Sequence, residues 1–586
     1  VEGTVNIGII GDGTSAEGDL HDAMNAASVW QVPVVFCVTD NGVAIQTSPD
    51  TGRGIRSFDS YAQAFGLTYF HVDGFDFSAA YEGCHAAFSH VAAGKGPVFL
   101  HVKVPRLMGH SSAGDMAFRY DLRDPLLEMG AQLVEKGLLT EADIVRRKDD
   151  AKLSGSFHAN VHSGTLLEQA DARVGEIAAQ AVSEPYPDPD TISLHVRRPF
   201  PEVPAEPGDP TKDETNVPYG LAIRTALERN LSDGRSAVWG QDVGKLGGVM
   251  SCTRGLATRH GDRCVDSPLN EPLICGTAFG ASMHEDLWAF PEIQFGDYSL
   301  NCLHWFVLMG LWNWTTNGLS VPRTCVRMPV DPFRGGAVYH SMSLDGYFTP
   351  IPGLVITVPS TSHDIYGLLR TASEYEGPML VLEPKILYRL TKGPALPNEP
   401  SDINATRMMA GEDVLDFDDF RVPLGQGVVR RKGSDLTIVA WGWAVHQSLE
   451  AAEELAQSGV SAEVIDLRTL TPYDDALVRE SVERTGRLLV AHPDRTFGSF
   501  GRQVQADVTE ALPGTPTLCV GMKNVPACTQ CVETEDHIAL QTEWITAAAR
   551  QLLGFKEAST LLSEQAFVRA DDPMAWVRFS SASLRG

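Results

Sequence analysis

The sequence lacks any uninterrupted apolar run approaching the roughly 20 residues that a membrane-spanning helix needs. It also lacks the basic start and apolar core of a secretory signal peptide. Basic residues are few: 47 Lys and Arg stand against 75 Asp and Glu, which gives a net charge of −28. A field of this sign repels nucleic acid and favours a basic partner, although solubility alone also accounts for it. We therefore expect no membrane span and no nucleic-acid partner.

The cysteines do not form the pattern of a disulfide or zinc framework. Most of the ten stand singly in apolar segments, as Cys37 does in Val-Val-Phe-Cys-Val. The one close pair, Cys528 and Cys531, lacks the second pair that a four-cysteine zinc site needs. We interpret this pair as structural, with metal or redox use as the alternative. Scattered cysteines are typical of a reducing compartment, so we expect a cytoplasmic protein.

The length and the pattern of predicted elements indicate several domains. A chain of 586 residues exceeds one hydrophobic core, and 43% hydrophobic with 21% charged residues is typical of globular proteins. Over residues 1–110, predicted strands alternate with helices, which predicts a parallel sheet with helices on both faces. Similar series begin near Tyr219 and at Asp435. The predicted fold class is α/β, with three domains that contain mostly parallel sheets.

Proline-rich and polar stretches separate these series, because proline at high density blocks both helix and sheet. The predicted segments are a first domain at 1–182, a Pro-rich linker at 183–213, a second domain at 214–390, a join at 391–432, a third domain at 433–553 and a tail at 554–586. The chain opens at Val1 on what is typical of a buried strand, without an initiator Met. We therefore expect a fragment or a processed sequence.

A glycine-rich turn follows the first predicted strand. Gly11-Asp-Gly13 ends that strand before a helix, and Asn41 ends the second strand. In a parallel sheet, strand ends of this kind line one crevice where ligands bind. The Asp12 carboxylate and the Asn41 amide are hard oxygen ligands suited to magnesium, and glycine lets backbone N–H groups approach a phosphate. A lone Gly-Asp-Gly is common in turns, but together with Asn41 it predicts a magnesium ion that bridges protein and diphosphate.

These residues resemble the motif of thiamine-diphosphate enzymes. The stretches at 11–19 and 40–45 look like the alpha subunit of branched-chain 2-oxo acid dehydrogenases. The resemblance implies thiamine diphosphate and Mg²⁺ as cofactors. It implies metal ligation by Asp12, Asn41 and the carbonyl of Val43, and diphosphate contacts from Gly11, Gly13 and Thr14. Two positions depart from the family: Asp40 stands in place of the first of two Asn, and Thr39 in place of an Arg that often touches the diphosphate. These changes bear on phosphate affinity more than on the metal.

Two histidines match family motifs. A lone loop histidine is usually a surface residue, but His110 lies in a Gly-His-Ser phrase that resembles the active-site loop beside the diphosphate and the reacting carbon. Ser111 then matches a position phosphorylated in mitochondrial relatives, although nothing in the sequence implies a kinase. His340 lies in Tyr-His-Ser, which looks like the beta-subunit motif. The implied role of His340 is proton transfer around the substrate or the lipoyl thiol, which suits an imidazole.

Glu271 begins an apolar helix after a polar turn. A carboxylate is stabilised at that end of a helix, so a simple first-turn role is one interpretation. The phrase Pro-Leu-x-Glu also resembles the beta subunit, which implies that Glu271 hydrogen-bonds the aminopyrimidine ring and favours its imino tautomer. The phrase at 292–298 looks like the strand whose Tyr, here Tyr298, stacks near that ring. The phrase at 382–388 looks especially like branched-chain beta subunits.

The third series resembles a transketolase-type C-terminal domain through the phrase at 464–472. His492 is followed by Pro493 and Asp494 where relatives often have Glu, and the later Pro-rich phrase is altered at 524–528. Contacts with the acyltransferase core can therefore differ here. The resemblance covers residues 1–155 as the later part of an alpha subunit and 214–553 as a nearly whole beta subunit. It implies a diphosphate-binding domain, a pyrimidine-binding domain and the C-terminal domain.

The implied function is oxidative decarboxylation of a branched-chain 2-oxo acid, with acyl transfer to the lipoyl group of a dihydrolipoyl acyltransferase. That partner would contribute its lipoyl and subunit-binding domains. The cofactor is expected between an alpha-type and a beta-type domain, so we expect a homodimer. Pyruvate or acetoin is the near alternative as substrate. A transketolase-like transferase is more remote, because no cluster of basic residues for a sugar phosphate is evident. A non-catalytic scaffold is a third hypothesis.

Overall fold

The computed structural model describes residues 4–107, 109–110, 122–140, 145–146, 161–162, 166–284, 286–332, 336–525 and 531–555. The chain divides into two compact units, Val1–Thr191 and Ile192–Gly586. Within the described residues, no helix is both long enough and apolar enough to cross a membrane. Ser111, Cys528 and the predicted tail beyond residue 555 lie outside the described residues.

The first unit alternates strands and helices. Its strands are β1 (Asn6–Gly11), β2 (Val34–Asp40), β3 (Thr68–Asp73), β4 (Val98–Lys103), β5 (Val145–Arg146) and β6 (Val161–His162). Its helices are α1 (Gly18–Trp30), α2 (Pro49–Gly52), α3 (Phe58–Ala64), α4 (Phe77–Ala92), α5 (Pro125–Glu135) and α6 (Leu166–Ser183).

The main sheet of this unit is parallel, in the order β1-β2-β4-β3, while β5 and β6 pair antiparallel. Successive side chains of β2 point to opposite faces of the sheet. Phe36 and Val38 pack into one apolar cluster with α1 and α3, and Val35 and Cys37 pack into another with α4. Both faces of the sheet are therefore covered at β2, as the sequence predicted. The first strand was expected to be buried, but β1 leaves Ile7 46% and Ile9 66% exposed.

The second unit contains two sheets. Its strands are β7 (Ser236–Gly240), β8 (Cys264–Asp266), β9 (Trp288–Glu292), β10 (Cys325–Val330), β11 (Val355–Thr357), β12 (Met379–Pro384), β13 (Val428–Arg431), β14 (Leu436–Ala440), β15 (Ala462–Asp466), β16 (Thr469–Thr471), β17 (Leu488–Arg495) and β18 (Thr517–Met522). Its helices are α7 (Tyr219–Ser232), α8 (Leu256–His260), α9 (Glu271–Ala281), α10 (Leu303–Thr315), α11 (Asp345–Phe348), α12 (Ser362–Ala372), α13 (Ala405–Ala410), α14 (Trp443–Ala456), α15 (Asp475–Thr485), α16 (Phe500–Ala511), α17 (Val532–Ile538) and α18 (Thr542–Leu552).

Both sheets are parallel except at one strand each. The larger has the order β16-β11-β12-β10-β9-β7-β8, with β16 antiparallel to β11, and the smaller has the order β13-β15-β14-β17-β18, with β13 antiparallel to β15. β16 follows β15 in the chain but pairs with the larger sheet. One apolar cluster contains residues of both sheets, such as Met328 and Val439. The predicted second and third domains therefore form one compact unit.

The predicted linker and join differ from simple connections. The unit boundary falls inside the predicted linker, and residues from Ile192 onward lie on the second unit. There the Trp314 indole donates to the Ile192 carbonyl at 2.7 Å and Arg468 pairs with Glu206 at 2.7 Å. The join at 391–432 is rich in polar residues, yet its apolar side chains, including Phe417 and Val422, are buried in the core beside α7 and α12. Its last residues form β13.

Candidate active site

The turn after β1 and the turn after β2 meet at one edge of the first sheet. Gly11 pairs with Thr39 in the parallel register, and the Asp12 N–H donates to the Thr39 carbonyl at 3.2 Å. A Cβ added to Gly13 would lie 2.5 Å from the Cβ of Ala44, so only glycine permits this approach. The structure thus brings the segments that carry Asp12 and Asn41 together, as the sequence predicted.

Asp12 is a buried carboxylate, only 3% exposed. Its Oδ2 lies 3.6 Å from the Arg53 guanidinium, and its carbonyl accepts from the Ser15 hydroxyl at 2.6 Å. The Asn41 amide oxygen accepts from the Val43 N–H at 3.1 Å, and this contact closes the turn that contains both residues.

Asp40, which departs from the family pattern, is held by basic groups. Its Oδ2 accepts from His101 Nε2 at 2.9 Å and from Lys103 Nζ at 2.7 Å, and Arg53 lies 3.8 Å away. Burial acts to raise the pKa of Asp40, but the hydrogen bonds from Lys103 and His101 outweigh it and the pKa is lowered. Asp40 also accepts from the Gly42 N–H at 2.9 Å, so this charge helps to hold the Asn41 turn.

His101 connects Asp40 to Tyr69. Burial lowers the pKa of His101, so the imidazole is neutral. A carboxylate only accepts, so His101 Nε2 carries the proton and its Nδ1 accepts from the Tyr69 hydroxyl at 2.8 Å. Thr39, the other position that departs from the family pattern, donates its hydroxyl to the Ile10 carbonyl at 3.0 Å.

The residues at this edge fit a magnesium–diphosphate group. Asp12, Asn41 and the Val43 carbonyl offer hard oxygen donors on adjoining turns. Glycine at 13 keeps the backbone open next to Thr14, which begins a 3-10 turn. Arg53 supplies positive charge beside Asp12. No motif in the sequence points to Arg53, Lys103 or His101, although a histidine inside the apolar strand β4 is a signal.

His110 follows β4 in the first unit. Its side chain is exposed. The segment before it is tied to the Asn41 turn, since the Val104 N–H donates to the Asp40 carbonyl at 3.0 Å and Arg106 donates to the Ile45 carbonyl at 2.6 Å. The segment that carries His110 therefore leaves the sheet at the same edge as Asp12 and Asn41.

Glu271 is the first residue of α9 in the second unit. The helix starts here because the Asn270 side chain accepts from the Leu273 N–H at 2.7 Å and Pro272 suits the first turn. The Glu271 carboxylate is partly buried, and no described residue donates a hydrogen bond to it. α9 packs against the 3-10 turn Gly296–Cys302.

The placement of Tyr298 corrects the sequence interpretation. It was expected on a strand, but β9 ends at Glu292 and Tyr298 lies in the 3-10 turn Gly296–Cys302, which the Ser299 hydroxyl helps to close by donating to the Gly296 carbonyl. The Tyr298 ring lies 5.8 Å from the His340 ring between centroids. The structure therefore brings Tyr298 and His340 together beside the helix of Glu271.

His340 has a defined tautomer. Its Nδ1 lies 3.2 Å from the Gly336 carbonyl, which can only accept, so Nδ1 carries the proton. No described residue binds Nε2. The ring of Phe295 lies 4.3 Å away, nearly perpendicular. An imidazole whose Nε2 is not engaged can exchange a proton with a bound molecule.

A separate group of possible metal ligands lies in the second unit. Glu206, His363 and Asp364 come close enough to share an ion. Arg430 and Arg468 already pair with these acids, since Arg430 binds Asp364 and Arg468 binds Glu206. We interpret the group as an ion-pair network that fastens residues near Glu206 to the unit.

Known protein families match the same three segments of the chain that the sequence predicts as domains. Residues 2–154 match the family model described as dehydrogenase E1 component, 216–391 the transketolase pyrimidine binding domain, and 425–545 the transketolase C-terminal domain. The beta subunit of 2-oxoisovalerate dehydrogenase from Bacillus subtilis is 33% identical over 57% of this chain and 97% of its own length. The chain belongs to the 2-oxo acid dehydrogenase E1 family. This E1 chain joins an alpha-type part to beta-type parts, and the family depends on thiamine diphosphate.

Other relatives of this E1 chain carry related names. The mitochondrial beta 2 subunit of 2-oxoisovalerate dehydrogenase from Arabidopsis thaliana is 35% identical over 49% of this chain and 75% of its own length. The beta subunit of acetoin:2,6-dichlorophenolindophenol oxidoreductase from Cupriavidus necator is 33% identical over 50% and 84%. A solved chain described as split gene transketolase, inactive beta4 tetramer, aligns at a TM-score of 0.44 and 20% identity over 58% of this chain and 99% of its own, which is too low to add to the assignment.

Proposed function

We propose that this E1 chain catalyses the oxidative decarboxylation of a branched-chain 2-oxo acid with thiamine diphosphate and Mg²⁺, the activity of a 3-methyl-2-oxobutanoate dehydrogenase. The observation that carries the proposal is the resemblance to the Bacillus subtilis beta subunit, which extends over 97% of that protein. The meeting of the Asp12 and Asn41 turns at one sheet edge supports the same chemistry.

The first unit would hold the metal and the diphosphate. Asp12, Asn41 and the Val43 carbonyl would bind the ion, and backbone at Gly11, Gly13 and Thr14 would meet the phosphates. His110, on the segment tied to the Asn41 turn, would lie beside them. Thiamine diphosphate, when bound, supplies the nucleophilic carbon and the electron sink for decarboxylation.

The second unit would act on the pyrimidine ring and on protons. Glu271 has a carboxylate without a described partner, which leaves it free to hydrogen-bond a ring nitrogen. Tyr298 would stack near that ring. His340 would accept and return a proton through Nε2, because Nδ1 is committed to the Gly336 carbonyl.

The proposed partner is the lipoyl and subunit-binding domains of a dihydrolipoyl acyltransferase, and the proposed assembly is a homodimer. The net charge of −28 would favour basic surfaces on that partner. We propose a cytoplasmic location, because most of the cysteines stand singly in apolar segments, as is typical of a reducing compartment.

Acetoin or pyruvate is the second candidate substrate. The Cupriavidus necator relative named for acetoin matches at 33% identity, close to the values of the branched-chain relatives. The choice between them depends on the shape of the substrate pocket.

A substrate panel tests the proposal. The intact protein is supplied with thiamine diphosphate, Mg²⁺ and an artificial electron acceptor, and the reduction of the acceptor and the release of CO₂ are followed. Turnover of 3-methyl-2-oxobutanoate above that of pyruvate and acetoin is expected. Preference for acetoin would favour the second candidate, and absence of turnover with every 2-oxo acid would contradict the proposed reaction.

A further inference from the structure

The backbone that follows His340 is fixed from two sides. The Ser343 hydroxyl donates to Asp331 Oδ1 at 2.6 Å, and the Asp331 N–H donates to the Met342 carbonyl at 2.9 Å. On the side nearer His340, the Asp297 Oδ1 accepts from the Ser341 N–H at 3.1 Å and from the Met342 N–H at 3.2 Å. Asp297 therefore binds the two N–H groups directly after the histidine.

The segment that carries Asp297 also forms the walls around the imidazole. Phe295 and Tyr298 flank Asp297 in sequence, and both rings meet His340 edge to face. A Cβ added to Gly296 would lie 2.8 Å from the Leu344 side chain, so this turn is pressed against the loop after His340. One short segment thus supplies two ring contacts and one backbone anchor.

The second carboxylate oxygen of Asp297, Oδ2, makes no comparable contact. Oδ2 is buried and accepts no hydrogen bond from a described residue. Within the described residues, no Lys, Arg or His side chain forms an ion pair with Asp297. The Ser341 and Met342 N–H groups need only one acceptor oxygen, Oδ1, and an Asn side chain also has such an oxygen.

We propose that Asp297 is a positioning residue that holds the imidazole of His340 in its working orientation by accepting the Ser341 and Met342 N–H groups. The inference rests on the proposed function, because it assumes that His340 transfers protons during 2-oxo acid turnover. A displacement of about 1 Å in such a group lowers a rate steeply, by up to about a hundredfold.

The test compares Asp297→Ala, Asp297→Asn and a matched control in the intact protein. Asp474→Ala is the control, since the Asp474 carboxylate also accepts two backbone N–H groups, from Gly427 and Leu477, at the start of α15 and remote from His340 in sequence. The first readout needs no turnover. It is the rate at which diethyl pyrocarbonate modifies His340, measured by mass spectrometry relative to the exposed His85.

Asp297→Ala is expected to raise the rate of His340 modification at least about threefold and to lower kcat about tenfold or more with little change in KM, because the loss falls on orientation rather than binding. Asp297→Asn is expected to restore both values to within about twofold of wild type, because Oδ1 is retained. Asp474→Ala is expected to leave both unchanged. If Asp297→Ala does not fold, Asp297→Ser replaces it, since its hydroxyl is too short to reach both N–H groups.

Two results would overturn the inference. One is a modification rate in Asp297→Ala equal to that of wild type or of Asp474→Ala. The other is an Asn variant that behaves like the Ala variant, because an acceptor oxygen would then not be the cause. Absence of 2-oxo acid turnover in wild type would instead refute the proposed function, and the modification rates would still decide whether Asp297 anchors His340.

Discussion

Glu271 is the first residue of α9, and no described residue donates a hydrogen bond to its carboxylate. Glu271→Gln keeps the size of the side chain and removes the charge. We expect kcat to fall by about a hundredfold or more, with unfolding unchanged within about 1 kcal/mol. Steady-state kinetics and urea unfolding measure the two effects. Glu543→Gln, which changes a first-turn acid of α18, is the matched control and should leave kcat unaltered. Equal losses in both variants would assign Glu271 to helix stability alone.

His446 is a buried histidine whose neutrality matters for stability. Burial lowers its pKa to about 4, and its Nε2–H donates to the Ser360 carbonyl at 2.7 Å. As the pH falls below the ordinary histidine pKa, the unfolded chain takes up a proton that the folded chain does not. The unfolding free energy should therefore fall by about 1.4 kcal/mol per pH unit down to about pH 4.

The variant His446→Gln cannot titrate. The free energy of unfolding of wild type minus that of the variant should thus decrease by about 3 kcal/mol between about pH 7 and about pH 4. Urea unfolding across this range measures the difference. His85→Gln, at an exposed position, should show no such trend. A difference for His446→Gln that is independent of pH would contradict the assignment.

Arg327 lies between two buried carboxylates on neighbouring strands. It pairs with Glu292 at 3.0 Å and with Glu383 at 2.8 Å, and all three side chains are about 1% exposed or less. Arg327→Met would leave two buried carboxylates without a cation beside them, so we expect a loss of about 3–5 kcal/mol in urea unfolding. Arg173→Met, which breaks an exposed pair with Glu176, should cost less than about 1 kcal/mol. Similar costs for both would contradict the role of burial.

At the scale of elements, the cap of α9 links helix formation to the site. Asn270 caps α9 and Asn404 caps α13 by the same contact, a side chain that accepts from the N–H three residues on. Each Asn→Ala variant should lose about 1 kcal/mol of unfolding free energy. Only Asn270→Ala should also lower kcat, because its helix begins at Glu271. Unfolding and kinetics on both variants check this, and a fall in kcat for Asn404→Ala would count against it.

Elements with a strong periodic pattern were predictable to within a few residues. The apolar run at 34–38 predicts a strand, and the structure has the strand Val34–Asp40. The spacing of apolar residues over 77–93 predicts a helix, and the structure has the helix Phe77–Ala92. Their boundaries follow from runs of Val and Phe and from the Asp76 cap, which are local signals. The 3-10 turn that holds Tyr298 was not predictable, because it depends on contacts with distant residues such as Ser341 and Met342.

The candidate site was predictable where a motif carries it. Asp12 and Asn41 follow two strands that are adjacent in a parallel sheet, so their turns had to meet. Arg53 and Asp297 carry no motif, and their contacts depend on where loops fold back. The pairing of Lys103 with Asp40 follows from the register of β2 with β4, which the sequence did not specify.

At the scale of the whole molecule, the two-unit arrangement reflects long-range pairing. The α/β class and the parallel sheets followed from the alternation of strands and helices. The close packing of the second predicted domain against the third did not, because it depends on β16 crossing to the larger sheet and on Phe417 and Val422 of the join entering its core. Such contacts connect segments that are separated by many residues, so they produce no periodic pattern in the sequence.

The central claim is that Asp12 anchors a metal-bound diphosphate in this protein. The most direct measurement is calorimetric titration of thiamine diphosphate into the intact protein with and without Mg²⁺. We predict binding that requires Mg²⁺ and weakens about tenfold or more in Asp12→Asn, because one hard anionic ligand is lost. Asp50→Asn, which breaks an exposed pair with Arg56, should bind as wild type does. Equal affinity in Asp12→Asn and wild type, or binding that is unaffected by removal of Mg²⁺, would contradict the account.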